Sequence, residues 1–381
     1  MKKIALLAVA ILCFGAVNAA ATPREIRELR SEIEAIRAQM AAQQAQREAL
    51  AARRTDRLNL SFDFLTVFQG THNESRNVGN YRLDILAERN LGQHGRAFAR
   101  LRVGEGDGLA PFRNTLINLN ATAFDGDANI ALNEIWYEHT FCKDNKFAVT
   151  FGKINPTLHS FDANAVANSE AGQFMNAAFV NNAAIAFTEP NLGLMVAVTP
   201  TDMVEFSAGY FVGDDNDNFQ VDRRLFGIAQ INFRPFENGN YRFMVWSNTS
   251  EGITGAQQGY GWAISADQKI MDNVTLFARY GWAQPEYFLA ESALSGGVSV
   301  SGNLWGRAND TAAFAIGRVW GSSDVLPAII SPRDETHAEL FYSLSVTNAL
   351  TLTPSLQYVR SPLMPTRDDM FVYGVRARVQ F

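Results

Sequence analysis

The chain has 381 residues, of which 47% are hydrophobic and only 19% charged, with 28 Gly, 27 Phe and 10 Tyr. That is too apolar for a disordered chain, and no apolar run reaches the roughly 20 residues a membrane-crossing helix needs. A formal net charge of −6, with 27 of the 33 basic residues arginine, argues against a nucleic-acid partner.

Residues 1–19 read as a secretory signal peptide: Lys2 and Lys3, an apolar stretch from Ile4 to Val17, and the cleavage site Val17-Asn18-Ala19. Removing it leaves Cys142 as the remaining cysteine, which excludes an internal disulfide or a cysteine-rich metal site. Residues 20–56 read as a periplasmic helical coiled-coil segment. Pro23 to Arg54 contains neither Gly nor an aromatic residue, and Ile26, Leu29, Ile33, Ile36 and Met40 follow a 3-4-3-4 heptad seam. Isoleucine at both seam positions favours more than two strands, so a homotrimer is expected. The alternative is a lone surface helix.

From Arg57 the period becomes two. Leu58, Leu60, Phe62 and Phe64 alternate with Asn59, Ser61 and Asp63, and Phe371, Tyr373, Val375, Ala377, Val379 and Phe381 alternate with Val372, Gly374, Arg376, Arg378 and Gln380. Serial runs of about ten alternating residues predict an all-β transmembrane barrel over 57–381, and a soluble β-sandwich would have shorter strands. The aromatic C-terminus, Phe381, resembles the signal read by outer-membrane assembly machinery.

Short turns are expected near Leu91–Gly95, Cys142–Asn145, Pro200–Asp202, Pro235–Gly239, Ile270–Asn273, Ala308–Asp310 and Thr347–Ala349. Longer connections fall near 70–80, 104–130, 154–182, 213–222, 250–258, 284–297, 321–334 and 360–369. Together they join about 16 antiparallel strands and put both ends of the barrel on the short-turn side, the periplasm. Reading Ala183 to Ala197 as one long, broken strand plus the end of a loop keeps the number even; 18 strands is the alternative. Sixteen strands leave an aqueous channel.

Alternation turns Arg82, Arg100, Arg102, Arg242, Arg279, Arg376 and Arg378 inward, with Asp84, Glu88, Glu134, Glu138, Glu335 and Glu339. Closure of the last strand on the first is expected to gather Arg376, Arg378, Arg82, Arg100 and Arg102 into a basic arc. Trp136, Trp246, Phe98 and Phe277 also face inward, where flat rings beside Arg and Glu suit sugars. Tyr241, Phe243, Tyr260, Trp262, Tyr280, Trp282, Tyr342 and Tyr358 face lipid or its interface. The long connection from Ile154 to Asn182, bearing Asp162, Asn168, Glu170 and Gln173, is a candidate constriction loop; an external flap is the alternative. The acidic stretch Gly213 to Asn218 lacks the spacing of a calcium loop. No nucleophile elbow, P-loop, HExxH or paired CxxC occurs, so neither an enzyme nor a cofactor is expected.

Several segments resemble the carbohydrate-selective porins of the OprB type: Phe151-Gly152-Lys153, Ala167 to Glu170, Gln173 to Asn176, Gly306 to Thr311, Glu339 to Tyr342 and Leu352 to Tyr358. The similarity runs over most of 130–381 and is weaker over 57–129. It implies passive, sugar-preferring diffusion through a sixteen-stranded outer-membrane barrel. The heptad segment departs from the simplest members and resembles the amino-terminal coiled coils of some other porins. The expectation is therefore an outer-membrane channel for sugars and other small hydrophilic solutes, with Arg82, Asp84, Arg100, Arg102, Glu134 and Trp136 forming the sugar-binding face. An anion- or phosphate-selective porin, or a general diffusion porin, is the alternative. A barrel enzyme lacks a catalytic cluster, and an adhesin or tether needs no wide lumen.

Overall fold

The computed structural model describes residues 57–381 apart from 73–76, 110–114, 125–129, 143, 145, 160, 214–223, 251–254, 256–257, 326–333, 361 and 363–368. The signal peptide, the heptad segment and most of the acidic stretch after Gly213 lie outside the described residues.

The period-two segments form sixteen strands, each hydrogen-bonded to its sequence neighbours and the last to the first, in a closed antiparallel barrel. They are β1 (Asn59–Thr71), β2 (Asn77–Leu91), β3 (Gly95–Glu105), β4 (Ala131–Phe141), β5 (Phe147–Ile154), β6 (Asn191–Thr201), β7 (Val204–Val212) and β8 (Leu225–Phe233). The second half comprises β9 (Gly239–Asn248), β10 (Gly259–Met271), β11 (Val274–Ala283), β12 (Ala290–Ser301), β13 (Thr311–Gly321), β14 (Asp334–Ser345), β15 (Leu350–Arg360) and β16 (Met370–Gln380). Sixteen, not eighteen, is thus the strand number. Closure leaves no unpaired edge, which is what lets a sheet cross a bilayer. The seam is fastened at its end by reciprocal backbone bonds between Phe62 and Phe381, at 2.8 and 3.1 Å, under stacked rings 5.1 Å apart.

Connections after even-numbered strands are short, down to residues 202–203 and 272–273; the longest connection, residues 155–190, follows β5. Outward positions carry exposed apolar side chains, among them Phe68, Leu194, Phe243, Trp262, Ile316, Leu340 and Tyr373. No helix among the described residues is long and apolar enough to cross a membrane.

Two long connections fold into the barrel. The larger, after β5, carries the single-turn helices α1 (Pro156–His159) and α2 (Ala177–Val180), the second capped by the Asn176 side chain accepting from the Ala178 amide. Residues 183–197 divide into the end of a loop and a strand, as expected: β6 begins at Asn191, and 183–190 belongs to the loop. Pro190 lacks the amide a ladder needs, and Ala184, Ile185 and Ala186 are buried inside the barrel rather than paired. The second inward connection, after β3, buries Leu109, Leu116, Leu119, Asn120 and Thr122. It meets the first through Ala121 N to Met175 O (2.7 Å) and Ala177 N to Asn118 O (2.9 Å).

The loops turn much of the lumen into a packed core. Phe161 and Ile185 join Phe98, Trp136, Phe211, Phe226, Met244 and Trp246 from the wall, and Phe174 and Phe179 join Phe277 and Phe341. Gly152 shows how closely this side is fitted: at φ 136° it lies against β4, and a Cβ there would meet Ile135 O at 2.3 Å and Trp136 Cβ at 2.9 Å.

Candidate functional site

Along β16, β1, β2 and β3 several inward positions carry charged side chains. Antiparallel register sets Leu65 opposite both Arg378 and Arg82, Asp63 opposite Asp84, and Asp84 opposite Arg102. Arg100 stands opposite Glu134 of β4 at the end of the register that starts with Gly95 opposite His139, and the register shifts only beyond it, between Arg100 and Leu101. Such a bulge re-aims the side chains beyond it.

Four of the guanidinium groups in this wall meet a carboxylate. Arg378 is bidentate to Asp63, at 2.8 and 2.5 Å. Arg102 is bidentate to Asp84, at 2.7 and 2.9 Å, and reaches Glu170 at 3.1 Å. Arg82 donates to Glu170 at 2.7 Å and lies 3.6 Å from Asp84, while Arg100 approaches Glu134 at 3.0 Å. Fork-to-carboxylate pairing fixes orientation as well as charge. The expected basic arc is therefore a row of alternating sign.

Glu170 comes from the tip of the inward loop. Burial alone would raise its carboxyl, but Arg82 and Arg102 hold it below the ordinary glutamate value. Its backbone carbonyl accepts from Arg376 Nη1 at 3.0 Å, and Arg376 Nη2 reaches Gln173 O at 2.7 Å. Between the loop tip and the wall lies a cavity of about 550 Å³, lined by Asp63, Arg82, Asp84, Arg100, Arg102 and Arg378 together with Ser169 and Glu170.

The remaining predicted residues sit elsewhere, and several of them hold the loop. Arg279, 2% exposed, donates to Asp162 Oδ1 at 3.0 Å, to the carbonyls of Asp162 and Phe179 at 2.9 Å each, and to the Ala167 carbonyl. Asp162 also accepts from Asn182 N at 2.7 Å. Glu339 receives the amides of Met175 and Asn176, at 2.9 and 2.8 Å, and the Ser355 hydroxyl at 2.9 Å. Gln173 Oε1 accepts from the Asn168 and Ser169 amides at 2.7 Å each, shaping the tip. Arg242 pairs with Asp267 of β10 at 2.6 Å. Trp136 is 4% exposed, stacked on Phe98 at 5.0 Å, with the Arg96 guanidinium over its ring at 5.0 Å. Its rings belong to the packed side of the lumen.

Some functional groups were not singled out by the sequence reading. Asp63 has inward parity on β1 and pairs with Arg378. His337 bridges Glu335 (3.0 Å) and Asn176 (3.2 Å), and Glu335 also takes the Leu116 amide at 2.8 Å, so one buried cluster pins both inward loops to β14. Gln69 and Gln357 hold the Leu119 carbonyl at 3.1 and 3.0 Å. Only the length of residues 106–130 hinted at a second inward loop.

The sequence profile described as "Carbohydrate-selective porin, OprB family" matches residues 97–381. Porin AaxA of Chlamydia felis is 24% identical over 260 residues, covering 65% of this chain and 57% of that protein. The AaxA porin of Chlamydia trachomatis serovar L2 is 23% identical over 259 residues, or 64% of this chain and 55% of that protein. The chain thus spans little more than half the length of the curated relatives it matches. Among solved structures, Pseudomonas putida OprB at high pH superposes with a TM-score of 0.73 at 18% identity, covering 85% of this chain and 94% of that one. The outer-membrane channel DcaP of Acinetobacter baumannii gives 0.58 at 11% identity, covering 85% and 97%. These likenesses describe the same closed barrel. With three quarters of its length matched by the family profile, the chain belongs to the carbohydrate-selective porins of the OprB family.

Proposed function

We propose that the barrel is a water-filled outer-membrane channel for passive diffusion of carbohydrates and other small hydrophilic solutes. The observation that carries this is charge pairing in the cavity wall. Arg82, Arg102 and Arg378 pair with Asp63, Asp84 and Glu170 along the cavity, and Arg100 pairs with the fully buried Glu134 behind it. A polyol exchanges water for donors and acceptors spaced along that wall, each exchange worth about 0.5–1.5 kcal/mol net. An anion meets a carboxylate beside each of these four arginines, which weighs against the phosphate-selective alternative. Weak, repeated contacts suit a conduit, since a tightly held solute does not leave. Trp136 contributes as packing behind Arg96 and Phe98 rather than as an open stacking face.

On the same footing we infer that residues 1–19 are removed, that the short-turn end and residues 20–56 face the periplasm, and that the heptad seam supports a homotrimer. Phe381 serves as the handle for assembly machinery. Support comes from the heptad spacing of Ile26 to Met40 and from the position of Phe381 at the barrel seam. Liposome swelling with neutral sugars, sugar acids and inorganic phosphate tests the solute reading. Neutral monosaccharides should enter fastest for their size and partly block ionic current in a planar bilayer. Phosphate block without sugar block sinks the reading.

A further inference from the structure

On the outside of the barrel, near the long-loop rim, two arginines stand in one row. Arg318 of β13 is opposite Thr336 of β14, and Thr336 is opposite Arg360 of β15. Strands spaced about 4.8 Å apart put the two arginine Cα atoms roughly 10 Å from each other. Both point away from the lumen: the Arg318 side chain is 52% exposed and Arg360 is exposed. Arg318 shares its charge with Asp334 and lies over the Trp320 ring at 5.4 Å. Arg360 has no carboxylate within ion-pair distance among the described residues.

Toward the short-turn end the same face becomes apolar. The next row is Ile316, Ala338 and Tyr358, and the one after is Phe314, Leu340 and Leu356, several of them about half exposed. An aromatic level with apolar rows beneath is the profile of a hydrocarbon band ending at its interface. Two planar cations just above that level present forks suited to phosphate oxygens, while acyl chains lie along Ile316, Leu340 and Leu356.

We propose that Arg318 and Arg360 form a docking site for the phosphate-bearing headgroup of a membrane lipid, seated on the outer wall of β13–β15. The site rests on the barrel spanning a bilayer and is independent of which solute passes through. The pairing with Asp334 tempers the charge of Arg318, so Arg360 supplies the stronger attraction.

The test uses the full-length protein in detergent, titrated with phosphatidylglycerol or phosphatidylcholine, and counts retained lipids by native mass spectrometry. Wild type should retain phosphatidylglycerol at least tenfold better than phosphatidylcholine, as expected from two basic residues at a membrane surface. Arg318→Gln with Arg360→Gln should abolish that preference while the barrel keeps its resistance to unfolding in cold detergent. Asp334→Asn should increase it. If the double variant does not fold, Arg360→Gln alone, at an exposed position, should lower the preference several-fold. An unchanged preference in these variants overturns the site. So does full displacement of phosphatidylglycerol by an equal concentration of inorganic phosphate, which would mark an ion site rather than a lipid site.

Discussion

Replacing Arg279 with methionine should open the channel. The guanidinium holds five loop atoms at once: the Asp162 carboxylate and the carbonyls of Asp162, Ala167, Phe179 and Val180. Its side chain is 1% exposed and that of Asp162 is 0%. Removing one member of such a buried pair costs about 3–5 kcal/mol, because the other charge stays buried without its partner. The Asn182 amide still serves Asp162 at 2.7 Å, which places the loss toward the lower end. A loss of about 3 kcal/mol multiplies the ratio of open to closed loop by roughly a hundredfold. Phe161, Phe174 and Phe179 remain as apolar anchors, so the loop becomes intermittently open rather than detached. Single-channel recordings of Arg279→Met should show a larger, noisier conductance and weaker sugar block, with the barrel as resistant to detergent unfolding as wild type. Arg279→Met combined with Asp162→Leu removes both charges and should recover most of the closed behaviour, since apolar replacement of a buried pair is often near neutral. Wild-type conductance and block in the single variant would refute the reasoning.

Four further outcomes follow from the same geometry. Arg100→Ala with Arg102→Ala should widen the conductance, shift ion selectivity toward cations and weaken sugar block; reversal potentials and current noise measure this, and unchanged values in both count against the site. Glu170 has a depressed folded-state value, so its ionic contribution to loop docking is fully present above the ordinary glutamate value and is lost as pH falls through the depressed one. Conductance should therefore hold steady from pH 7 to about 5 and rise only in stronger acid, and a rise complete by pH 5 would contradict it. At the β12–β13 turn, Arg307 and Tyr342 hold the Asp310 carboxyl at about 2, so this turn's ionic stabilisation should persist until the pH falls from about 4 toward 2; thermal unfolding of Asp310→Asn should be flatter than wild type across that range. Deleting Phe381, which bonds reciprocally with Phe62, should lower outer-membrane levels without changing the conductance of the protein that does insert.

Much of the barrel is written locally. A strand's two faces are fixed by the parity of its own residues, so alternation in β1, β2, β11, β15 and β16 was sufficient to separate lipid-facing Phe64 and Tyr373 from inward Arg82, Arg279 and Arg376. Turn and loop lengths likewise carried the strand number and the alternation of short and long ends. Within Ala183–Ala197 the point where loop gives way to strand was not legible, because its apolar residues fit both a strand and a buried loop, and periodicity over so short a run does not choose between them.

What parity cannot supply is the partner. Arg82 meets Glu170, 88 positions away, and Arg378 meets Asp63, 315 away, through barrel closure and an inward loop that no local pattern encodes. The same inward face therefore divides in two. Where β16, β1, β2 and β3 meet the loop tip, the charges pair across a cavity; around Phe98, Trp136, Phe226 and Trp246, aromatic residues of identical parity are covered by Phe161, Ile185 and neighbouring side chains. The sequence by itself determined which side chains point into the lumen, because that depends on one residue and its immediate neighbours. Only the tertiary structure decided which of them face water and which are packed or neutralised, because that depends on where residues 106–130 and 155–190 come to rest inside the closed barrel.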